Sequence, residues 1–441
     1  MRTRLAVFAT LFTLFASSTF AAYRNSAWIP PWREEALTSL QKNIGAIQES
    51  NPVWYLWNAD GSIAKAWNAE NPTWRAAMTG SEILPTIQNI VGGSFNGTAA
   101  ATVLGSATSR DAHVNAIVAL VNANAFDGID IDYERVPTAS RADFTAFVAS
   151  LATKLHASGK KLSVTVYAKT SDSQNWNGPG AEDWSVIGGA ADTVKIMAYD
   201  YHWDSSDAGA IAPLSWLDQV TTYAESVIPA RKIVIGLPWY GYDWSAGTTA
   251  STVSYASATQ IATNNHATIT HDASSGEATF TYSGHIVYFQ DAAAYKTKTD
   301  MLKLKHGGIG GVTAWAAGYE DPNVWSIIGG SSTPVAPAPA DFAISGSQSL
   351  TVQQGNSTSA LYTITPINNF TGSVSASVMS TIGATISPTM PATLIVAPSA
   401  TTPAGVYPVT VRATSGSITH DLIVNVNVTA APVTKKHATK H

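Results

Sequence analysis

The sequence predicts an α/β chain, a (β/α)8 TIM barrel with a small α+β insertion, followed by an all-β immunoglobulin-like sandwich. Three observations predict it. Over about 300 residues, short β-rich runs alternate with longer helical patterns, as a parallel sheet with crossover helices requires, and the length suits closure into eight strands. A Pro/Ala/Ser-rich stretch, 331–340, ends that rhythm and reads as an extended spacer. Beyond it, short runs alternate apolar and polar residues, with Gly, Pro, Asn and Ser between them, the pattern of an antiparallel sandwich.

Taken in order, the chain opens with Arg2 and Arg4, an apolar run over 5–16 and the small-x-small Thr19-Phe20-Ala21. This reads as a signal peptide over 1–21, too short to span a bilayer, and predicts a secreted protein without membrane insertion. The barrel is expected over 22–330. Its strands are predicted at 53–57, 83–87, 128–134, 162–168, 194–199, 232–239 and 311–315, with helices at 113–125 and 142–157. Thr- and Ser-rich runs over about 245–286 interrupt the repeat and predict an insertion after the seventh strand. The sandwich is expected over 341–430, with strands at 350–352, 360–365, 373–378, 394–396, 407–414 and 422–428. Residues 431–441 read as a solvated basic tail.

Composition narrows the function. Apolar residues make up 45% of the chain, charged residues only 12%, and the net charge of −5 argues against broad electrostatic binding to nucleic acid. There is no cysteine, which excludes disulfides, a thiol nucleophile and thiolate metal sites. The ten histidines show no paired ligand spacing, and no Ser-His-Asp arrangement is supported. Asn-x-Ser/Thr sequons stand at Asn96, Asn356, Asn369 and Asn427.

The run Asp127-Gly-Ile-Asp-Ile-Asp-Tyr-Glu134 carries the chemistry. Strand alternation puts Asp130, Asp132 and Glu134 on one face and Ile129, Ile131 and Tyr133 on the other. The apolar face suits packing on helices, so the carboxyls point into the barrel or its mouth. Successive carboxyls on one face, about 7 Å apart, repel one another, which raises at least one pKa and suits a general acid. A solvent-facing acidic strand and a divalent-metal site are the alternatives. The flanking Phe126 and isoleucines speak against the first, and the lack of calcium-loop turn spacing against the second.

Asp127, Asp130, Asp132 and Glu134 fill Asp-x-x-Asp-x-Asp-x-Glu, which resembles the fourth-strand signature of glycoside hydrolase family 18, the chitinase-like barrels. Met197-Ala-Tyr-Asp200 resembles the sixth-strand Met-x-Tyr-Asp, and Trp315 the eighth-strand tryptophan. Met197-Ala-Tyr-Asp-Tyr-His-Trp203, Ile211-Ala-Pro-Leu214, Gly236-Leu-Pro-Trp-Tyr-Gly-Tyr-Asp-Trp244 and Gly318-Tyr-Glu-Asp-Pro322 resemble the branch with spore-cortex and cell-wall N-acetylglucosaminidases. The third-strand Ser-x-Gly-Gly of chitinases is absent, and Ile83-Leu-Pro-Thr-Ile-Gln-Asn89 stands there.

The resemblance implies a monomeric enzyme without cofactor or metal, acting on a β-linked N-acetylglucosamine polymer, chitin or peptidoglycan glycan, by a retaining mechanism without a protein nucleophile. It implies Glu134 as the acid, Asp132 as partner of the substrate acetamide, Asp130 behind Asp132 and sharing a proton with it, and Tyr199 as donor to the acetamide oxygen. Asp200 and Met197 fall at the reacting sugar and Trp315 forms its floor. Trp28 and Trp239 are expected among the substrate-binding indoles, with Trp32, Trp54, Trp203 and Trp244 as further candidates and His202 beside them. Asp127, out of phase, is expected to be structural. An inactive carbohydrate-binding lectin on the same barrel is the alternative function, and an adhesin led by the sandwich a second one. The few aromatics of the sandwich favour a spacer or stalk.

Overall fold

The computed structural model describes residues 23–329, apart from 59 and 174, and 341–431, apart from 368, 369 and 417. The expected signal peptide, spacer, most of the tail and the sequon at Asn369 lie outside the described residues. The chain forms two compact units that divide between Pro334 and Val335.

In the first unit eight parallel strands close into a barrel. They are β1 (Arg24–Ile29), β2 (Glu49–Trp57), β3 (Thr86–Gln88), β4 (Gly128–Asp132), β5 (Lys161–Tyr167), β6 (Thr193–Met197), β7 (Ile233–Pro238) and β8 (Gly311–Trp315). Closure comes where β1 pairs with both β2 and β8, Ser26 facing Glu49 and Ala27 facing Ala314. The first half of β1, Arg24-Asn25-Ser26, is polar and shows no alternation; Ala27 and Ile29 face outward, and the inward side carries Ser26 and Trp28. β4 starts on a glycine because it runs close to β5; a Cβ on Gly128 would sit 2.2 Å from the Lys161 carbonyl oxygen.

Alternation sorts the strands into an apolar outside and a polar inside. Ile129 and Ile131 of β4, Leu162, Val164 and Val166 of β5, and Ile233, Ile235 and Leu237 of β7 share one buried core with the surrounding helices. Helices α1 (Ala107–Ala123) and α2 (Arg141–Ala157) supply Val114, Ile117, Phe144, Phe147 and Leu151 to it. Inside, Glu49, Thr86, Asp130, Ser163, Thr165, Lys195 and Thr313 are all buried. Buried polar groups are stable when they bond one another: Thr86, Ser163 and Thr165 donate to Asp130 of β4, and Lys195 lies between Glu49 and Asp130, whereas Thr313 Oγ1 has no hydrogen-bond partner.

The insertion is a five-stranded antiparallel sheet beginning at Tyr240–Ser245 and ending at His285–Phe289, with one helix, Tyr255–Asn264, and its own core of Val253, Ala258, Phe280, Val287 and Phe289. It starts earlier than the polar runs indicate, because Tyr240 follows β7 after only one intervening residue. α3 (Leu214–Val227) precedes β7, and α4 (Ala292–Lys305) leads from the insertion to β8.

The second unit has two four-stranded sheets, a main core that includes Tyr362, Leu394, Val409, Val411, Val424 and Val426, and a smaller cluster of Phe342, Phe370, Val374 and Ala413. One sheet is antiparallel throughout. The other departs from the expected all-antiparallel pattern, since Ser349–Gln353 runs parallel to Ile418–Thr429. Strands Asp341–Gly346 and Ala384–Ile386 join those predicted.

Candidate active site

Glu134 follows β4 at the C-terminal end of the barrel, where barrel enzymes place their chemistry. Its backbone is gripped on both sides by one residue: Asn89 Oδ1 accepts from the Glu134 amide at 2.8 Å, and Asn89 Nδ2 donates to the Glu134 carbonyl at 2.8 Å. Outward-facing Tyr133 anchors the same segment, its hydroxyl 2.7 Å from His113 Nε2 and its ring edge-on to Trp57 at 4.8 Å. The Glu134 carboxyl meets the Tyr167 hydroxyl, which donates to Oε2 at 2.5 Å.

The two aspartates behind it differ sharply. Asp130 accepts from Trp28 Nε1 (3.0 Å), Thr86 (2.9 Å), Ser163 (2.6 Å) and Thr165 (3.2 Å), and lies 3.4 Å from Lys195 Nζ. Lys195 in turn lies 2.7 Å from Glu49. Asp132 has one donor, Gln88 Nε2 at 2.8 Å on Oδ2, while its Oδ1 is buried without a hydrogen-bond partner. Donors and a lysine thus surround Asp130, while Asp132 keeps one carboxylate oxygen free of any partner.

Burial raises the Asp132 pKa well above the carboxylate range, and the charges of Glu134 and Asp130 add to the effect while Gln88 opposes it. Burial also raises Glu134, and Asp200 adds to that; the Tyr167 hydroxyl and Arg135 pull the other way. Tyr199 is raised well above its ordinary value by burial and then by Asp132, Asp200, Glu134 and Asp130.

Tyr199 and Asp200 follow β6, and Met197 is its last residue, in register with Tyr167 of β5 and Gly236 of β7. Asp200 adopts a left-handed φ of 58°, and its carboxylate accepts from the Tyr240 hydroxyl and, at 3.1 Å, from Tyr242. Although the residue is exposed, its carboxyl is enclosed enough for lost hydration to raise its pKa. Trp315, half-buried at the end of β8, packs on Trp28 at 6.0 Å. A proton donor, a carboxylate with a free buried oxygen, a tyrosine hydroxyl and an indole therefore share one mouth. Such a set can protonate a leaving group and stabilise a cation next to it.

Two expected substrate-binding indoles are corrected. Trp28 is 1% exposed and donates to Asp130, so it supports the site from beneath. Trp239 is also 1% exposed and packs outside the barrel on Trp325 at 5.2 Å, because it shares the outward parity of Ile235 and Leu237. Trp54 and Trp244 are buried as well, whereas Trp32 and Trp203 are exposed. Asp127 sits at the opposite end of β4, accepting from the Ile83 amide at 2.8 Å. His202 Nδ1 is bound to the Asp207 carbonyl at 2.9 Å.

Sequence reasoning passed over Gln88, Asn89 and Tyr167. The first two lie in the segment that departs from Ser-x-Gly-Gly, and the inward parity of Gln88 was the signal. Exposed Trp67 and Trp176, on segments following β2 and β5, were also passed over.

The family model described as Glycosyl hydrolases family 18 matches residues 86–320, more than half of the chain. A Bacillus subtilis (strain 168) protein named as a sporulation-specific glycosylase, YdhD, is 34% identical over 256 residues, 55% of this chain and 60% of that protein. A Bacillus anthracis protein named cortical fragment-lytic enzyme is 29% identical over 252 residues, 55% of this chain and 58% of that protein. The chain thus spans about three fifths of the length of these curated relatives. Among solved structures, the Bacillus cereus spore cortex-lytic enzyme SleL aligns with a TM-score of 0.65 at 25% identity, covering 70% of this chain and 74% of that one.

Proposed function

The chain belongs to glycosyl hydrolase family 18, and from that premise we propose that it is a secreted enzyme cleaving β-linked N-acetylglucosamine polymers, chitin oligosaccharides or peptidoglycan glycan. The observation that carries the reading is the unequal pair at the mouth: Glu134, with a raised pKa, beside Asp132, whose Oδ1 is a buried acceptor lacking a donor. A buried orphan acceptor costs free energy until a donor arrives, and a substrate acetamide N–H is such a donor.

Glu134 gives its proton to the glycosidic oxygen as the bond from the anomeric carbon to that oxygen breaks. The acetamide carbonyl oxygen bonds the anomeric carbon in its place, forming an oxazolinium ion. Asp132 holds the acetamide N–H and stabilises the positive charge, Tyr199 donates to the acetamide oxygen, Asp200 bonds the sugar, and Trp315 presents an apolar face beneath it. Glu134, now ionised, takes a proton from water as that water attacks the anomeric carbon. The ring opens and the configuration is retained.

The 1–21 segment is the export signal, the protein is a monomer, and the second unit is an immunoglobulin-like spacer. Reducing-sugar release from N-acetylglucosamine oligomers and from peptidoglycan, with mass analysis of the products, tests the activity. Glu134→Gln is expected to lower kcat by at least about 10²-fold while oligomer binding persists. Binding without turnover in the wild type would favour a lectin instead.

A further inference from the structure

β5 ends on a tyrosine that the mechanism above leaves unused. Tyr167 points into the barrel mouth, and its hydroxyl donates to Glu134 Oε2 at 2.5 Å. Separate features hold it there. Its backbone amide lies 3.2 Å from both oxygens of the fully buried Glu182. The Glu182 carbonyl accepts from Lys169 Nζ at 2.6 Å, and that ammonium, with no solvent exposure, also lies 5.0 Å over the Trp184 ring. From the other side a loop closes on the tyrosine ring. Gly178 has φ +104°, and a Cβ there would sit 2.5 Å from Tyr167 Cε2. The Gly178 amide donates to the Val136 carbonyl at 2.8 Å, so the loop that presses on the tyrosine is bonded to the segment that carries Glu134.

We infer that Tyr167 is a positioning residue for Glu134: it pins Oε2, leaves Oε1 to carry the proton to the glycosidic oxygen, and is itself set by Glu182, Lys169 and Gly178. The inference rests on the assignment of Glu134 as the acid. Burial and the charge of Glu134 keep the Tyr167 hydroxyl protonated far above the ordinary tyrosine range, so it remains a donor at any working pH. A donor to a carboxylate favours the ionised form, which makes Glu134 a stronger acid than burial alone would allow. The other groups facing Glu134 are Asp132, Arg135, Glu182, Tyr199 and Asp200, and Tyr167→Phe leaves all of them in place.

In the full chain, Tyr167→Phe is expected to lower kcat about tenfold or more with KM changed less than about twofold, and to move the basic limb of the kcat/KM profile to higher pH. A tyrosine that only fills space would leave that limb where it is. Gly178→Ala, which displaces the ring, is expected to move the limb the same way. Titration of the 13C-labelled Glu134 carboxyl, identified by its loss in Glu134→Gln, reads the coupling without substrate. An unchanged titration and pH limb in Tyr167→Phe would overturn the inference, even in an active enzyme. A wild type that hydrolyses nothing, with a Glu134 titration that still differs between it and Tyr167→Phe, would sink the proposed activity and leave the coupling between Tyr167 and Glu134 standing.

Discussion

Asp130 and Asp132 are two residues apart on the same face, yet removing their charges should have opposite consequences. Four side-chain donors and Lys195 converge on Asp130, so Asp130→Asn leaves a buried ammonium with less compensation. It is expected to destabilise the barrel by roughly 2–4 kcal/mol. Asp132 holds one donor and a bare oxygen; Asp132→Asn relieves repulsion from Glu134 and is expected to leave stability unchanged or higher, while hydrolysis collapses. Urea unfolding of both variants beside their turnover separates the two roles. Glu182 adds a pH dependence. Burial pushes its pKa up from 4.5 to about 8, partly offset by the Tyr167 amide, Lys169 and Trp184. Between those values the native state holds a proton that the unfolded chain releases, so stability falls as pH rises from 4.5 to about 8. Glu182→Gln should flatten that part of the profile, and an equal slope in both proteins would refute the assignment.

At the scale of elements, legibility followed side-chain period. β4, β5, β6 and β8 could be read because Ile, Leu, Val and Ala mark their outward faces. β1 could not, because its first three residues, Arg24-Asn25-Ser26, are all polar and leave no alternation to read. The same alternation that placed Asp130 and Asp132 inward also places Trp239 outward, and following it through β7 would have removed that residue from the site. Asn89 had no such signal, since it grips Glu134 from just beyond the end of β3, where period no longer constrains direction. The insertion hid a contact of another kind. Glu277 accepts from the amides of Ile211 at 2.8 Å and Ala212 at 2.7 Å, and lies 3.2 Å from Lys298 of α4, with both charged side chains fully buried. This joins the insertion to the segment after β6 that carries Asp200. Lys298→Met leaves the glutamate unpaired and is expected to cost about 3–5 kcal/mol. Combining it with Glu277→Leu should cost less than the sum of the two single changes, as a double-mutant cycle in urea would show.

For the whole molecule, the question is whether the second unit takes part in catalysis or in holding polymer. Each unit buries a hydrophobic core of its own. A sugar-holding module commonly offers exposed aromatic faces, and the aromatics of this unit are used otherwise. Phe342, Tyr362 and Phe370 are buried, and the Tyr407 hydroxyl donates to the Pro403 carbonyl at 2.9 Å. Among the described residues its exposed large apolar side chains, Leu361, Met379, Ile395, Val406 and Ile423, provide no ring to stack on a pyranose. Every residue assigned to the reaction lies between Asp132 and Trp315. Ending the chain at residue 330 should therefore leave kcat/KM on soluble oligomers within about twofold of the full chain, as expected where no transition-state contact is removed. Sedimentation with insoluble chitin or peptidoglycan should be equally unaffected. A truncated chain that keeps oligomer turnover but no longer sediments with polymer would make the second unit a binding module by some surface other than aromatic stacking.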